Sequence, residues 1–283
     1  MNWNFKTILI PLLVLIAACN GLDEADFNER KVVIDGFIEQ GQYPVVYLTY
    51  SSGFYEPVDS ASLQELVLAT ARVEVSDGEN SEVLTLFRNN EVYPPFFYRG
   101  TDLTGEPGKT YHLEVRSEAG VYTATTTIPK PVDLDSVWIE VDQEVDTLGQ
   151  LWVQFNDAGL QDDYYRFFTS TNGAAYVPAF KSTLLDRTFD GETYSHPVLR
   201  QPRSALELGD EVLFQKGDTI GVKLCHIDEA HYRFWNTLEQ ELYLVGNPFG
   251  SVGNEVASNI RGNKPALGIW GGYGVSYGNV VFQ

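Results

Sequence analysis

Few side chains in this sequence are of the types that carry out catalysis, and their spacing does not assemble a catalytic motif. The nearest pair of histidines, His226 and His231, is divided by a predicted strand-to-helix junction. That spacing differs from the i, i+4 pair with which one helix face binds zinc. Ser195 and His196 are neighbours, but a catalytic triad requires a buried acid and a geometry that adjacency does not provide. We therefore expect no catalytic residues.

Carboxylates are more abundant than histidines. Asp142, Glu144 and Asp146 alternate and would share one face if they lay on a strand. Segments 157–163 and 186–191 carry further aspartates, and such oxygens suit a hard cation such as Ca²⁺ or a sugar. No EF-hand pattern accompanies them, so we predict no metal site and no cofactor. Because paired glycosidase carboxylates are defined by a distance, a surface glycan or peptide hydrolase stays open as an alternative.

Aromatic side chains, 13% of the residues, are the main candidates for binding. Adjacent prolines in the run 93–98 exclude a central strand, because proline lacks the N–H that a ladder needs. The run is therefore a loop or an edge, either packed on the domain or offered to a ligand. Large aromatic rings supply contact area at low entropic cost. The predicted binding residues are Tyr93, Phe96, Phe97, Tyr98, Trp270 and Tyr273.

The N-terminal segment places the protein in a cellular compartment. Lys6 and a short apolar run precede Ala17-Ala18-Cys19, an order typical of a secretory signal that is too short to span a membrane. A cysteine directly after the small residues indicates a bacterial lipoprotein signal; an ordinary signal peptide with a coincidental cysteine is the alternative. We predict that residues 1–18 are removed and that acylated Cys19 anchors the protein in a membrane, since several acyl chains hold more firmly than one.

Composition limits the remaining possibilities. The chain has 39 Asp and Glu against 19 Lys and Arg, a formal net charge of −20, so nucleic acids should be repelled. A hydrophobic content of 43% suffices for a core. With Cys19 acylated, Cys225 would have no partner, and its strand-like surroundings predict a buried structural thiol.

Residues 19–30, which come directly after the predicted signal peptide, are predicted to form an acidic tether. Asp23-Glu24 resembles the signals that send some lipoproteins to the cell surface, although a solvated linker explains the pair as well. We expect a lipid-anchored protein of the outer membrane that is exposed at the cell surface.

The elements beyond the tether are predicted to be almost entirely β, which makes the fold class all-β. Short alternating strands and turns over 31–130 are typical of an antiparallel sandwich of immunoglobulin or transthyretin type. In it, Tyr111 is placed to close a corner through its hydroxyl. Prolines near 129–131 mark a domain boundary. The segment 131–283 predicts a second sandwich or barrel-like domain with one helix at about 228–243, for which Asp228 is the expected N-cap.

The order of several short motifs resembles that of a family of Bacteroidota outer-membrane lipoproteins, domain of unknown function 4249. The matching pieces are Val32–Gly36, Gly105–Tyr111, Gly217–Val222, Tyr232–Leu238, Asn247–Phe249, Ser258–Ile260 and Leu267–Gly272. Members look like lipoproteins encoded beside TonB-dependent outer-membrane receptors. The resemblance implies an accessory role in nutrient uptake, by binding an extracellular ligand or by docking on such a receptor. It implies no catalytic residues, and a structural or assembly lipoprotein of the envelope is a further alternative.

Overall fold

The computed structural model describes residues 30–52, 64–90, 94–157, 159, 162–202, 210–244 and 255–283. The predicted signal peptide, Cys19 and Tyr93 lie outside these ranges. Along the described chain the strands are Val32–Glu39 (β1), Val45–Tyr50 (β2), Arg72–Ser76 (β3), Ser81–Val83 (β4), Thr85–Arg88 (β5), Phe96–Arg99 (β6), Thr110–Ser117 (β7), Gly120–Thr127 (β8), Leu134–Val141 (β9), Leu148–Asn156 (β10), Tyr164–Thr171 (β11), Val177–Leu185 (β12), Thr193–Val198 (β13), Phe214–Gln215 (β14), Thr219–Ile227 (β15), Arg261–Gly262 (β16) and Ala266–Val281 (β17). A 3₁₀ turn covers Asp210–Val212, and helix α1 covers Glu229–Leu244.

An eight-stranded sheet is the centre of the fold, in the order β12-β11-β15-β17-β1-β2-β6-β5. A five-stranded sheet, β16-β8-β7-β3-β4, packs on one half of it. A smaller sheet packs on the other half, in which β10 pairs with β9, β13 and β14. Each sandwich encloses its own hydrophobic core, because apolar and polar residues alternate along strands such as β8 and β10.

The long final strand connects the two cores. β17 pairs with β15 in antiparallel fashion through its C-terminal half and with β1 in parallel fashion through its N-terminal half. Trp270 is fully buried in the first core, opposite Gly36, whereas Phe282 just past the strand belongs to the second core. The sheet is therefore continuous across the predicted boundary at 130/131, and the division into two domains stays a prediction.

Helix α1 covers the opposite face of the large sheet. Its N-cap is Asp228, whose Oδ1 accepts the His231 N–H at 2.8 Å, a contact that satisfies one free donor of the first turn. The helix lies so close to β17 that a Cβ at Gly271 would come within 2.2 Å of the His231 ring. Among the described residues, no helix is both long and apolar enough to cross a membrane.

The all-β sandwich prediction is confirmed, and so are the helix and its N-cap. The Tyr111 hydroxyl closes a corner as predicted: it donates to Thr104 O at 3.1 Å and accepts from Glu106 N at 2.8 Å. Of the two forms offered for the second domain, the structure has the sandwich, and among the described residues no sheet closes into a barrel. One expectation needs correction: the pairing of β1 with β17 is parallel, because the two ends of the described chain meet in the middle of the sheet.

Candidate functional site

The structure does not bring the predicted binding residues into one surface. Tyr98 is buried, and its hydroxyl accepts from Ala71 N at 2.9 Å. Trp270 donates from Nε1 to Tyr111 O at 3.1 Å inside the first core, while Tyr273 is buried on the opposite face of β17. A spacing of three along a strand places two side chains on opposite faces. Of the predicted residues, Phe96 and Phe97 keep partly exposed rings.

Phe96 and Phe97 belong to an aromatic cluster at one edge of the large sheet, which we call the β5–β6 edge. The Phe97 ring stacks on Phe87, with centroids 6.0 Å apart, and lies 5.6 Å from Tyr47 on β2. Arg88 places its guanidinium 5.3 Å from the Phe96 ring. Phe87 is 39% exposed on β5, the last strand of the sheet. Aromatic and arginine side chains on an unpaired strand are typical of protein interfaces.

The register of the strands locates this edge relative to the predicted tether. Val32, where β1 begins, pairs with Tyr50 at the end of β2. On the other side of β2, Tyr98 pairs with Val46, so Phe97 lies at the level of Tyr47. Three residues along a strand span about 10 Å. The β5–β6 edge therefore lies level with the middle of β1, about 10 Å along the strand direction from the residue where β1 begins.

A second group of polar side chains is buried beneath α1. The Arg166 guanidinium is 3.5 Å from the centroid of the Trp235 ring, and it donates to the Tyr273 hydroxyl at 2.9 Å and to Ser182 at 3.1 Å. Ser182 N in turn donates to Glu239 on the helix at 3.2 Å. A stacked, hydrogen-bonded guanidinium holds its neighbours in fixed positions. These contacts attach α1 to the sheet.

Cys225 lies on the same face of the sheet and is fully buried. Burial raises the pKa of its thiol to about 12, which leaves almost no nucleophilic thiolate at neutral pH. Nearby, Lys223 pairs with Glu39 at 2.8 Å, and the Tyr277 hydroxyl donates to the same carboxylate at 2.5 Å. The prediction of a structural thiol is confirmed.

The two residues that come nearest to a catalytic motif, His196 and Ser276, are also held in structural contacts. His196 stacks on Phe167 at 4.8 Å, and burial lowers its pKa to about 4. Gly274–Gly278 fits the GxSxG pattern, but its Ser276 lies inside β17 and donates to Val132 O at 2.7 Å. A nucleophile elbow requires a strand-to-helix turn. Neither residue is in a catalytic arrangement among the described side chains.

The sequence contains two groups of acidic residues that could converge on a ligand, and the structure does not bring the first group together. Asp142, Glu144 and Asp146 do not share a strand face, because β9 ends at Val141. Asp142 Oδ1 instead accepts the N–H groups of Glu144 and Val145, both at 2.9 Å. This is the local hydrogen bonding that makes aspartate a turn residue.

The other group converges. Asp157, Asp163 and Asp186 offer carboxylate oxygens that all lie within 4.8 Å of one another; we call this group the aspartate cluster. Asp157 follows β10, Asp163 precedes β11 and Asp186 follows β12, so the cluster forms where strand ends of the small sheet and the large sheet meet. Burial raises the pKa of Asp186, and the charges of Asp157, Asp163 and Asp190 raise it further, while the nearby Asp163 N–H acts to lower it without reaching hydrogen-bond geometry.

Comparison with known proteins identifies a family but no characterised relative. The family model for a domain of unknown function (DUF4249) matches residues 21–277. A search of the curated proteins finds no match to this chain.

Proposed function

The chain belongs to the family of domain of unknown function 4249, and from its own residues we propose that it is a lipid-anchored accessory protein of the outer membrane. In this proposal it serves nutrient uptake by docking on a TonB-dependent receptor, directly or together with an extracellular ligand. The observation that carries the proposal is the exposed aromatic β5–β6 edge, which lies level with the middle of β1.

The distance from the predicted anchor supports this arrangement. Val32 lies thirteen positions beyond Cys19, and an extended chain spans at most about 3.5 Å per residue. The first strand would therefore begin within about 45 Å of the membrane. A surface about 10 Å further along the strand direction is still within reach of a protein embedded in the same membrane.

The chemistry of the edge also supports a protein partner. Phe87 and Phe97 provide an apolar, stacked pair, and Arg88 and Arg99 provide exposed positive charge in a chain of net charge −20. Phenylalanine and arginine are enriched in protein interfaces relative to other surfaces. An unpaired edge strand can in addition accept hydrogen bonds from a partner backbone.

A pull-down from native outer membranes in mild detergent, with a C-terminal tag and mass spectrometry, tests the proposal. The test variant is Phe87→Asp. Its matched control is Val177→Asp on β12, which forms the opposite edge of the same sheet and whose side chain is 45% exposed, against 39% for Phe87. We expect the unmodified protein and Val177→Asp to recover a TonB-dependent receptor and Phe87→Asp to lose it.

Two results would contradict the proposal. The first is that no receptor is recovered with the unmodified protein. The second is that Phe87→Asp recovers as much receptor as Val177→Asp, which would leave the edge without a role in docking. Metabolic labelling with palmitate tests the anchor separately, because Cys19→Ser must abolish incorporation.

A further inference from the structure

The aspartate cluster has a feature that proximity of acidic residues alone does not give. Asp186 is 0% exposed, and within the described part of the chain neither of its carboxylate oxygens has a hydrogen-bond partner. Its oxygen faces those of Asp157 and Asp163 within 4.8 Å. A buried carboxylate without partners is strongly unfavourable, and proteins resolve it by pairing the charge or by coordinating a metal.

We propose that Asp157, Asp163 and Asp186 bind a calcium ion that holds together the segments following β10 and β12 and the start of β11. The identity of the ion follows from the ligands and their spacing. All three ligands are carboxylate oxygens, the donors that hard cations take. Calcium–oxygen distances are about 2.4 Å, so two ligands on opposite sides of the ion are about 4.8 Å apart, and the cluster's oxygens, all within 4.8 Å of one another, fit inside that limit.

Other metals fit less well. Four tetrahedral oxygens around zinc at about 2.0–2.2 Å would crowd closer together, and zinc sites draw on histidine or cysteine. The neighbouring His226 does not offer a free nitrogen, since Nδ1 lies 2.8 Å from Lys130 O and Nε2 lies 3.1 Å from Asp163. Magnesium demands shorter bonds of about 2.0–2.1 Å in near-ideal octahedral geometry.

The surrounding residues hold two of the ligands in place. Asp157 accepts hydrogen bonds from the Tyr165 hydroxyl, from Gly159 N at 3.2 Å and from Gly191 N at 2.8 Å. His226 connects Asp163 to the backbone of Lys130, in the proline-rich segment between the two cores. Such outer contacts orient metal ligands in known sites. Asp186 lacks a contact of this kind among the described residues, as expected for a ligand that the ion itself fixes.

The backbone around the cluster is built for close approach. Gly159 has φ +61°, and a Cβ on it would lie 2.4 Å from the Gly191 Cα. The two segments that carry Asp157 and Asp186 thus meet at a pair of glycines, both of which also donate to Asp157. This close approach also holds the carboxylates near one another, and a calcium ion between them would offset their electrostatic repulsion.

The test uses the full-length protein in mild detergent after metal removal with EDTA. Titration with calcium chloride, followed by calorimetry and by thermal unfolding, should give one saturable site and a rise in melting temperature of about 5–10 °C at about 100-fold saturation. Asp186→Asn should abolish both signals. Asp142→Asn, which alters a turn aspartate outside the cluster, should keep them.

If Asp186→Asn does not fold, a second measurement on the unmodified protein tests whether the aspartate cluster binds calcium. Terbium bound in the cluster of the unmodified protein should luminesce on excitation of tyrosine, because Tyr165 contacts Asp157, and calcium should displace it. The proposal is overturned if calcium produces neither heat nor stabilisation, if magnesium or zinc binds more tightly than calcium, or if a folded Asp186→Asn binds calcium as the unmodified protein does.

Discussion

Replacing Trp270 by alanine should destabilise both cores together. Trp270 is fully buried and lies on β17, which is paired with β1 in one half and with β15 in the other. A buried tryptophan removes about 200 Å² from water, which corresponds to about 5 kcal/mol at about 25 cal/mol per Å². Measured costs of such truncations are about 3–5 kcal/mol. Loss of the Nε1 bond to Tyr111 O adds about 1 kcal/mol.

A total of about 4–6 kcal/mol corresponds to a fall in melting temperature of about 8–24 °C for a chain of this size. Urea unfolding should be followed by circular dichroism for the sheets and by thiol labelling of Cys225 for the region under α1. A Cys19→Ser background leaves Cys225 as the one thiol. Both probes should shift to the same lower midpoint, because the strand that loses its anchor is shared.

Trp138→Ala provides the matched control. Trp138 is partly exposed on β9 and stacks on Trp152 at 6.1 Å, so its loss should cost about 1–2 kcal/mol. The reasoning is refuted if Trp270→Ala costs no more than this control. It is also refuted if Cys225 becomes reactive at an unchanged urea concentration while the sheet signal falls, since the two halves would then unfold independently.

Two further predictions concern the first sandwich. Tyr111→Phe removes the hydroxyl bonds to Thr104 and Glu106 and should lower the free energy of unfolding by about 1–2 kcal/mol, as measured in urea. Burial acts to raise the pKa of Glu82, but the N–H groups of residues 101–103 outweigh it and lower that pKa overall. The stability gained from these hydrogen bonds to ionised Glu82 is present above about pH 4.3, and it is lost as the pH falls through the pKa of Glu82 in the folded protein. Glu82→Gln should therefore be less stable by about 1 kcal/mol at pH 7 and equal to the unmodified protein at pH 3; equal stability at both pH values would contradict this.

Features encoded in short segments could be predicted from the sequence. The strands follow from alternation, and helix α1 follows from its apolar face and from Asp228 at its start. The Tyr111 corner follows from a tyrosine placed just after the Gly-Glu-Pro-Gly turn at 105–108. In each case the residues that determine the structure are within a few positions of one another, where local sterics and hydrogen bonding act.

Features that join distant segments could not be predicted in the same way. The parallel pairing of β1 with β17 joins residues more than 200 positions apart, and neither strand's pattern specifies its neighbour. The aspartate cluster likewise depends on three segments that the sheet brings together. The aromatic residues show a different difficulty: composition marks Tyr98, Trp270 and Tyr273 as large contact groups, but the same rings serve a core equally well.

The two proposed sites can be tested independently because the large sheet separates them. The β5–β6 edge is formed by the last two strands in the pairing order of the large sheet. The aspartate cluster borders β11, which is six strands away from β5 in that order. At about 4.8 Å per strand the separation is about 29 Å, too far for direct contact. Phe87→Asp should therefore lose the receptor and keep its stabilisation by calcium, while a folded Asp186→Asn should lose the calcium response and keep the receptor. Loss of both properties in either variant would mean that the sheet transmits a change between its ends or that the variant is misfolded, and the Cys225 labelling midpoint distinguishes these two outcomes.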